Sequence, residues 1–125
     1  MPKQKLVLIV EDEADEAELM RFVLEDAGFA VETASTAKKA LASLAARKPS
    51  VMLLDILMPG EGGMAVLAKM KANGTLDKVP VIVVTAVARE VGVKQDLKEF
   101  YPGVGYLPKP FDNKAMVKLV KKHAR

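Results

Sequence analysis

Val51-Met52-Leu53-Leu54-Asp55-Ile56-Leu57-Met58-Pro59-Gly60 is the stretch that decides the fold of this chain. Apolar residues run straight into a carboxylate, and a Pro-Gly pair ends the run. A short, wholly apolar run bounded by breakers reads as a strand buried on both faces. Asp55 then closes that strand, at the edge where open parallel sheets put their ligand sites. A carboxylate there has to be paired, metal-bound or reactive, because burying a lone charge is expensive.

Working outward, the same pattern repeats. Lys5-Leu6-Val7-Leu8-Ile9-Val10 is a β-branched apolar run that delivers Glu11-Asp12 at its end. Val79-Pro80-Val81-Ile82-Val83-Val84-Thr85 is another, ending in a hydroxyl, and Gly105-Tyr106-Leu107-Pro108-Lys109 is a brief last one. Phe29 to Ala34 alternates as a further strand. Between them lie helical faces. Ala17, Met20, Leu24 and Ala27 recur at three and four, and Gly28 is a left-handed stop. Ala37, Ala40, Leu41, Leu44 and Ala45 follow a Ser35 cap. Met64, Leu67 and Ala68 predict a short third helix ending at Asn73-Gly74. Arg89 to Phe100 predicts a fourth, interrupted by Gly92, and Asp112 caps a fifth with Met116, Val117 and Val120 inward. Strand and helix alternate five times, which implies an α/β fold: a doubly wound, five-stranded parallel sheet with helices on both faces.

Composition narrows the function. The 125 residues suit one domain, with 50% apolar and only 5% aromatic residues, hence an aliphatic core. No run approaches the roughly 18 apolar residues of a membrane span, and the apolar stretch before Glu11 is too short for a signal peptide. The absence of cysteine rules out disulfides and thiolate metal sites. The net charge of +3 is mild, and the basic residues lack interleaved aromatics, which argues against direct nucleic-acid binding.

In a parallel sheet, strand ends of one kind share one edge. That edge gathers Glu11, Asp12, Asp55, Thr85 and Lys109. Crowded carboxylates repel and raise one another's pKa. A hard divalent cation relieves this, and Mg²⁺ takes oxygen ligands together with phosphate oxygens. Lys109 adds a compact positive charge suited to phosphate. Acids, a metal, a hydroxyl and a lysine suit phosphoryl transfer, with Asp55 as nucleophile. Singly, each residue has an ordinary reading: a turn aspartate, an acidic first helical turn, a strand threonine, a loop lysine. The convergence of all of them is what carries the chemistry.

This set resembles the receiver domain of two-component response regulators, the CheY-like family. Glu11-Asp12, Asp55 through Gly60 with Gly63, Thr85-Ala86, and Lys109-Pro110-Phe111 match in order and near the family's spacing. The resemblance covers most of the chain and implies one receiver domain over 5–123, with no output domain in the chain. It implies a strand order of 2-1-3-4-5. It implies that Asp55 accepts a phosphoryl group from a sensor histidine kinase or histidine phosphotransfer protein. Mg²⁺ would be held by Glu11, Asp12, Asp55 and the backbone carbonyl of Leu57. Lys109 would pair with the carboxylate and then the phosphoryl group through a typically cis Lys109-Pro110 bond, with Thr85 and Tyr106 as the switch. It further implies a cytoplasmic signalling protein with an output partner, a phosphorylation-dependent dimer as one mode of output, and no membrane contact.

Departures are informative. The interval from Thr85 to Lys109 is longer than usual, and Phe100-Tyr101-Pro102-Gly103-Val104-Gly105 replaces the usual small residues. A short or irregular fourth helix is expected. Leu57 and Val87, beside the phosphoryl position, are apolar and cannot orient water, so slow self-dephosphorylation is expected. An aspartyl-phosphate phosphatase or phosphotransferase is a rival reading, but such enzymes usually want a second acid where Leu57 stands. A flavodoxin-like cofactor binder would want a phosphate loop where Glu11-Asp12 stands. A receiver-like interaction module that is never phosphorylated would not need the complete set. His123, the only histidine, is expected to be a solvated cation at a helix end.

Overall fold

A computed structural model describes residues 4–58, 60, 62–86 and 93–125. The five strands are β1 (Leu6–Val10), β2 (Ala30–Ala34), β3 (Val51–Asp55), β4 (Val81–Thr85) and β5 (Gly105–Pro108). The helices are α1 (Ala14–Asp26), α2 (Ala37–Ala46), α3 (Gly62–Ala72), α4 (Val93–Phe100) and α5 (Asn113–His123). All pairings are parallel, in the order β2-β1-β3-β4-β5. This is the doubly wound sheet that the alternation of elements implies. Among the described residues, no helix is long and apolar enough to cross a membrane.

Side-chain parity divides the core in two, because neighbours along a strand point to opposite faces. Val7, Ile9, Val51, Leu53, Ile82, Val84 and Leu107 pack with Met20 and Leu24 of α1 and Met116 and Val120 of α5. Leu8, Val10, Met52, Leu54, Val81 and Val83 pack on the other face with Ala37 and Ala40 of α2, Val66, Leu67 and Met70 of α3, and Leu97 of α4. β3 and β4 are buried along their whole length. Complete burial explains why both read as uninterrupted apolar runs rather than alternating ones.

Several local expectations need correction. α3 turns a different face inward from the one expected. Val66, Leu67 and Met70 are buried, while Met64 and Ala68 are exposed. The reason lies in its first turn. A Cβ on Gly63 would stand 2.6 Å from the Ile56 Cα, so this turn rests directly on the backbone just after β3. That close approach fixes the rotation of the helix, and the inward positions become 63, 66, 67 and 70. The cap of α2 is Thr36, whose hydroxyl accepts from the Lys39 amide at 3.1 Å, rather than Ser35. A short 3₁₀ turn at Thr75–Asp77 precedes β4, so the strand begins at Val81, after Pro80. Asp112 does cap α5, accepting from the Lys114 and Ala115 amides. Gly28 has φ of +101°, the left-handed conformation expected at the end of α1. Of the expected fourth helix, 93–100 is helical and 89–92 lies outside the described residues. Lys71 of α3 sits 5.4 Å from the ring centre of Tyr101, tying α3 to the segment after α4.

His123 is not a solvated cation. It is half-buried, and its Nε2 lies only 2.9 Å from where a Cβ on Gly105 would stand. Burial, aided by the charge of Lys122, pushes its pKa below 6.5. A base whose folded pKa is depressed contributes stability above its unfolded pKa and loses it as pH falls through the lower, folded value. Urea unfolding at about pH 7.5 and about pH 5.5 is therefore expected to show a larger loss of stability in the wild type than in His123→Gln. Equal losses would show that the imidazole is not the titrating group.

Candidate functional site

Register brings the polar strand ends together. Val10 lies beside Leu54, Asp55 beside Val84 and Thr85 beside Pro108, so Glu11, Asp55, Thr85 and Lys109 rim one edge of the sheet. Backbone bonds hold the rim: Glu11 N–H donates to Ala34 and Lys109 N–H to Thr85. Glu11, Asp55 and Thr85 are buried at 3%, 6% and 0% exposure. Asp12 is half-buried. The Lys109-Pro110 peptide is cis.

Lys109 joins the acids. Its ammonium stands 2.7 Å from Glu11 Oε1, 2.9 Å from Glu16 Oε2 and 3.4 Å from Asp55 Oδ2. Each buried carboxylate also accepts from the backbone two residues on: Asp55 Oδ1 from Leu57 N–H at 2.8 Å, and Glu11 Oε2 from Glu13 N–H at 3.2 Å. These bonds fix the carboxylate planes. Burial pushes the Glu11 carboxyl up to about 7, with Asp55 adding repulsion, although Lys109 and the Glu13 amide pull the other way. Burial alone would lower the Lys109 pKa, but bonds to Glu11 and Glu16 and the charge of Asp55 outweigh it and raise it above the ordinary lysine value. The lysine is therefore a fixed cation at neutral pH.

Glu11, Asp12 and Asp55 each offer a carboxylate oxygen, and these atoms all lie within 4.8 Å of one another. An all-oxygen, acid-rich set of this kind fits a hard divalent cation such as Mg²⁺.

Glu16 was not singled out from the sequence. It sits in an acidic first helical turn that reads as solvated, and its side chain is half exposed. A signal existed nonetheless. Asp55 has the parity of Val51 and Leu53, which pack in the cluster of α1 and α5, so its carboxylate lies on the α1 side of the sheet. A long acid in the first turn of α1 can reach the lysine that Asp55 faces. The Lys109 bond lowers the Glu16 pKa.

Thr85 and Tyr106 belong to the opposite face. Thr85 shares the parity of Val81 and Val83, and Tyr106 packs against that same cluster. With Val83 opposite Tyr106, Thr85 is the diagonal neighbour of the tyrosine on one face of the sheet. Tyr106 is half-buried, and burial raises the pKa of its phenol. Leu57 has an exposed side chain, whereas Val87 lies outside the described residues, as do Pro59 and Glu61.

With this geometry in hand, relationships to known proteins are direct. Residues 7–121 match the response regulator receiver domain, and the chain belongs to that family. It is 32% identical over 117 residues to an uncharacterised 14.6 kDa protein of Leptolyngbya boryana, covering 94% of this chain and 88% of that one. It is 33% identical over 120 residues to the phosphate regulon transcriptional regulatory protein PhoB of Pseudomonas aeruginosa, covering 94% of this chain but only 50% of that protein. Among solved structures, chemotaxis protein CheY4 of Vibrio cholerae superimposes with a TM-score of 0.86 at 24% identity, covering 97% and 99% of the two chains. A CheY-like receiver domain protein of Methanospirillum hungatei gives 0.82 at 26%, covering 96% and 93%. The protein is thus a receiver domain of two-component signalling.

Gly63→Ala is the expected point of failure for the loop behind Asp55. The added methyl meets backbone rather than a flexible side chain, so overpacking of about 1–3 kcal/mol is expected in urea unfolding. A change within experimental error would show that α3 can lift away freely.

Proposed function

We propose that this chain is a phosphoacceptor in a phosphorelay, with Asp55 taking a phosphoryl group from the phosphohistidine of a sensor histidine kinase or histidine phosphotransfer protein. The observation that carries this reading is the buried Asp55 beside Glu11, Asp12 and a lysine held by both buried acids, in a chain of the receiver family. An Asp55 carboxylate oxygen attacks phosphorus in line with the departing imidazole nitrogen. The O–P bond forms as the P–N bond breaks, and the histidine leaves as neutral imidazole, its other ring nitrogen keeping its proton. Leu57 N–H, bonded to Oδ1, leaves Oδ2 facing Lys109 and orients the carboxylate for attack. Glu11, Asp12, Asp55 and the Leu57 carbonyl are the groups that would hold Mg²⁺, which when bound neutralises charge on the phosphoryl oxygens. Lys109 supplies a second, fixed positive charge.

The phosphoryl group adds negative charge and acceptor oxygens at the sheet edge. The Thr85 hydroxyl would bond one of those oxygens. Tyr106, its diagonal neighbour, would then turn inward and change the surface around α4 and β5 that an output partner or a second copy of the chain reads. The chain is not a turnover enzyme in this reading. It catalyses its own modification and its own slow reversal.

Donor docking fits the other side. A groove of about 420 Å³ opens beside Lys109, lined by Leu19, Met20, Ala86, Pro110 and Phe111. Leu19, at the groove, and Phe22, three residues further along α1, are exposed apolar side chains. An apolar helix face next to the nucleophile suits a helical phosphodonor, which must bring its histidine within bonding distance of Asp55.

Slow reversal follows from Leu57. Its exposed apolar side chain, two residues past the nucleophile, can neither orient nor activate water. Incubation with acetyl phosphate is expected to add one phosphoryl mass to the wild type only with Mg²⁺ present, and none to Asp55→Asn. The label is expected to decay over many minutes after the donor is removed. Labelling of the Asn variant would overturn the assignment of Asp55, and decay within seconds would overturn the role given to Leu57.

A further inference from the structure

We propose that Glu16 is a positioning residue that competes with the incoming phosphoryl group for Lys109 and so limits how readily Asp55 is modified. This rests on the phosphoacceptor reading above.

An ammonium has three N–H donors. Here all three point at carboxylates: Glu11 at 2.7 Å, Glu16 at 2.9 Å and Asp55 at 3.4 Å. A phosphoryl oxygen that arrives on Asp55 and needs Lys109 must displace one of them. Glu11 is a poor candidate, because its side chain is 2% exposed and release would leave a buried charge unpaired. Asp55 is the residue that carries the new group. Glu16 is 51% exposed, so its carboxylate returns to water at little cost. The bond that breaks is therefore Lys109 to Glu16.

Two consequences follow. In the resting protein Glu16 holds the ammonium toward α1, closer to itself than to Asp55. By linkage, whatever Glu16 gains from Lys109 the phosphoryl group must overcome, and modification weakens the Glu16 bond by the same factor. Glu16 also lines the groove next to Lys109, Leu19 and Phe111. Its release adds an unpaired negative charge to that groove when Asp55 is modified.

The test uses trifluoroberyllate, a tetrahedral anion that caps a carboxylate as a phosphoryl group would. Its affinity for the full chain is measured by calorimetry in excess Mg²⁺. Glu16→Gln and Glu16→Ala are expected to bind about two- to fivefold more tightly than wild type, the scale of one half-exposed ion pair. Asp15→Asn removes a charge from the same helical turn without a Lys109 bond and is expected to bind as wild type does. Thermal melting of each variant confirms folding. Unchanged or weaker binding by both Glu16 variants would overturn the proposal. Equal tightening by Asp15→Asn would overturn it as well, since the effect would then be general charge rather than competition for Lys109. A folded wild type that does not bind trifluoroberyllate at all would instead sink the phosphoacceptor reading.

Discussion

Buried like charges are the constraint on which the rest of this molecule depends. Two unit charges about 4 Å apart repel by about 4 kcal/mol at the effective dielectric of a protein surface. Glu11, Asp12 and Asp55 bring oxygens within 4.8 Å of one another, and two of the three residues are almost wholly buried. No arrangement of apolar residues relieves that. Lys109 relieves part of it by reaching Glu11 and Asp55 together, and its own cationic form is held in place by them. Burial, more than repulsion from Asp55, raises the Glu11 pKa to about 7. The fully buried β3 and β4 provide the rigid frame that keeps the acids from moving apart.

The frame was largely legible in the amino-acid sequence because burial on both faces leaves a plain mark. Val51 to Leu54 and Val81 to Val84 have no polar residue to interrupt them, so strand and depth could be read together. Strand ends then located Glu11, Asp55, Thr85 and Lys109, and the parallel order put them on one edge. What failed depended on contacts that periodicity does not encode. The inward face of α3 is set by the missing side chain of Gly63 against the backbone at Ile56, so Met64 reads as core although it is exposed. His123 reads as a solvated end of a basic helix, but glycine at 105 leaves a space that the imidazole fills. Glu16 was hidden by its neighbours: in a turn already rich in acids, nothing marks the one that bends toward the sheet.

Parity also divides the labour of the site. Asp55 points to the face covered by α1 and α5, and Lys109 meets Glu16 of α1 there. Thr85 and Tyr106 belong to the face covered by α2, α3 and α4. Asp55 and Thr85 are thus one strand apart along the edge yet on opposite sides of the sheet. Of the four strand-end residues Glu11, Asp55, Thr85 and Lys109, Thr85 alone is directed by its own strand toward the face of α2, α3 and α4. In the proposed switch, a change at the edge would reach α4 and β5 through that residue and its diagonal neighbour.

The same division bears on why, in the proposed role, such a site would hold a modification rather than turn over substrate. A hydrolase needs a second acid or base aimed at the phosphorus from the solvent side. Position 57, two past the nucleophile, faces solvent and is leucine. Two of the acids near Asp55 are already committed: Glu11 to Lys109 and the Glu13 amide, Glu16 to Lys109. Even the acid with freedom to move gains that freedom only by giving up its lysine, and a carboxylate next to a doubly negative phosphoryl group is repelled from it. In the phosphoacceptor reading, attack by water would go unassisted where attack by Asp55 would be assisted. On that reading, the asymmetry between the two would make the covalent state a lasting signal.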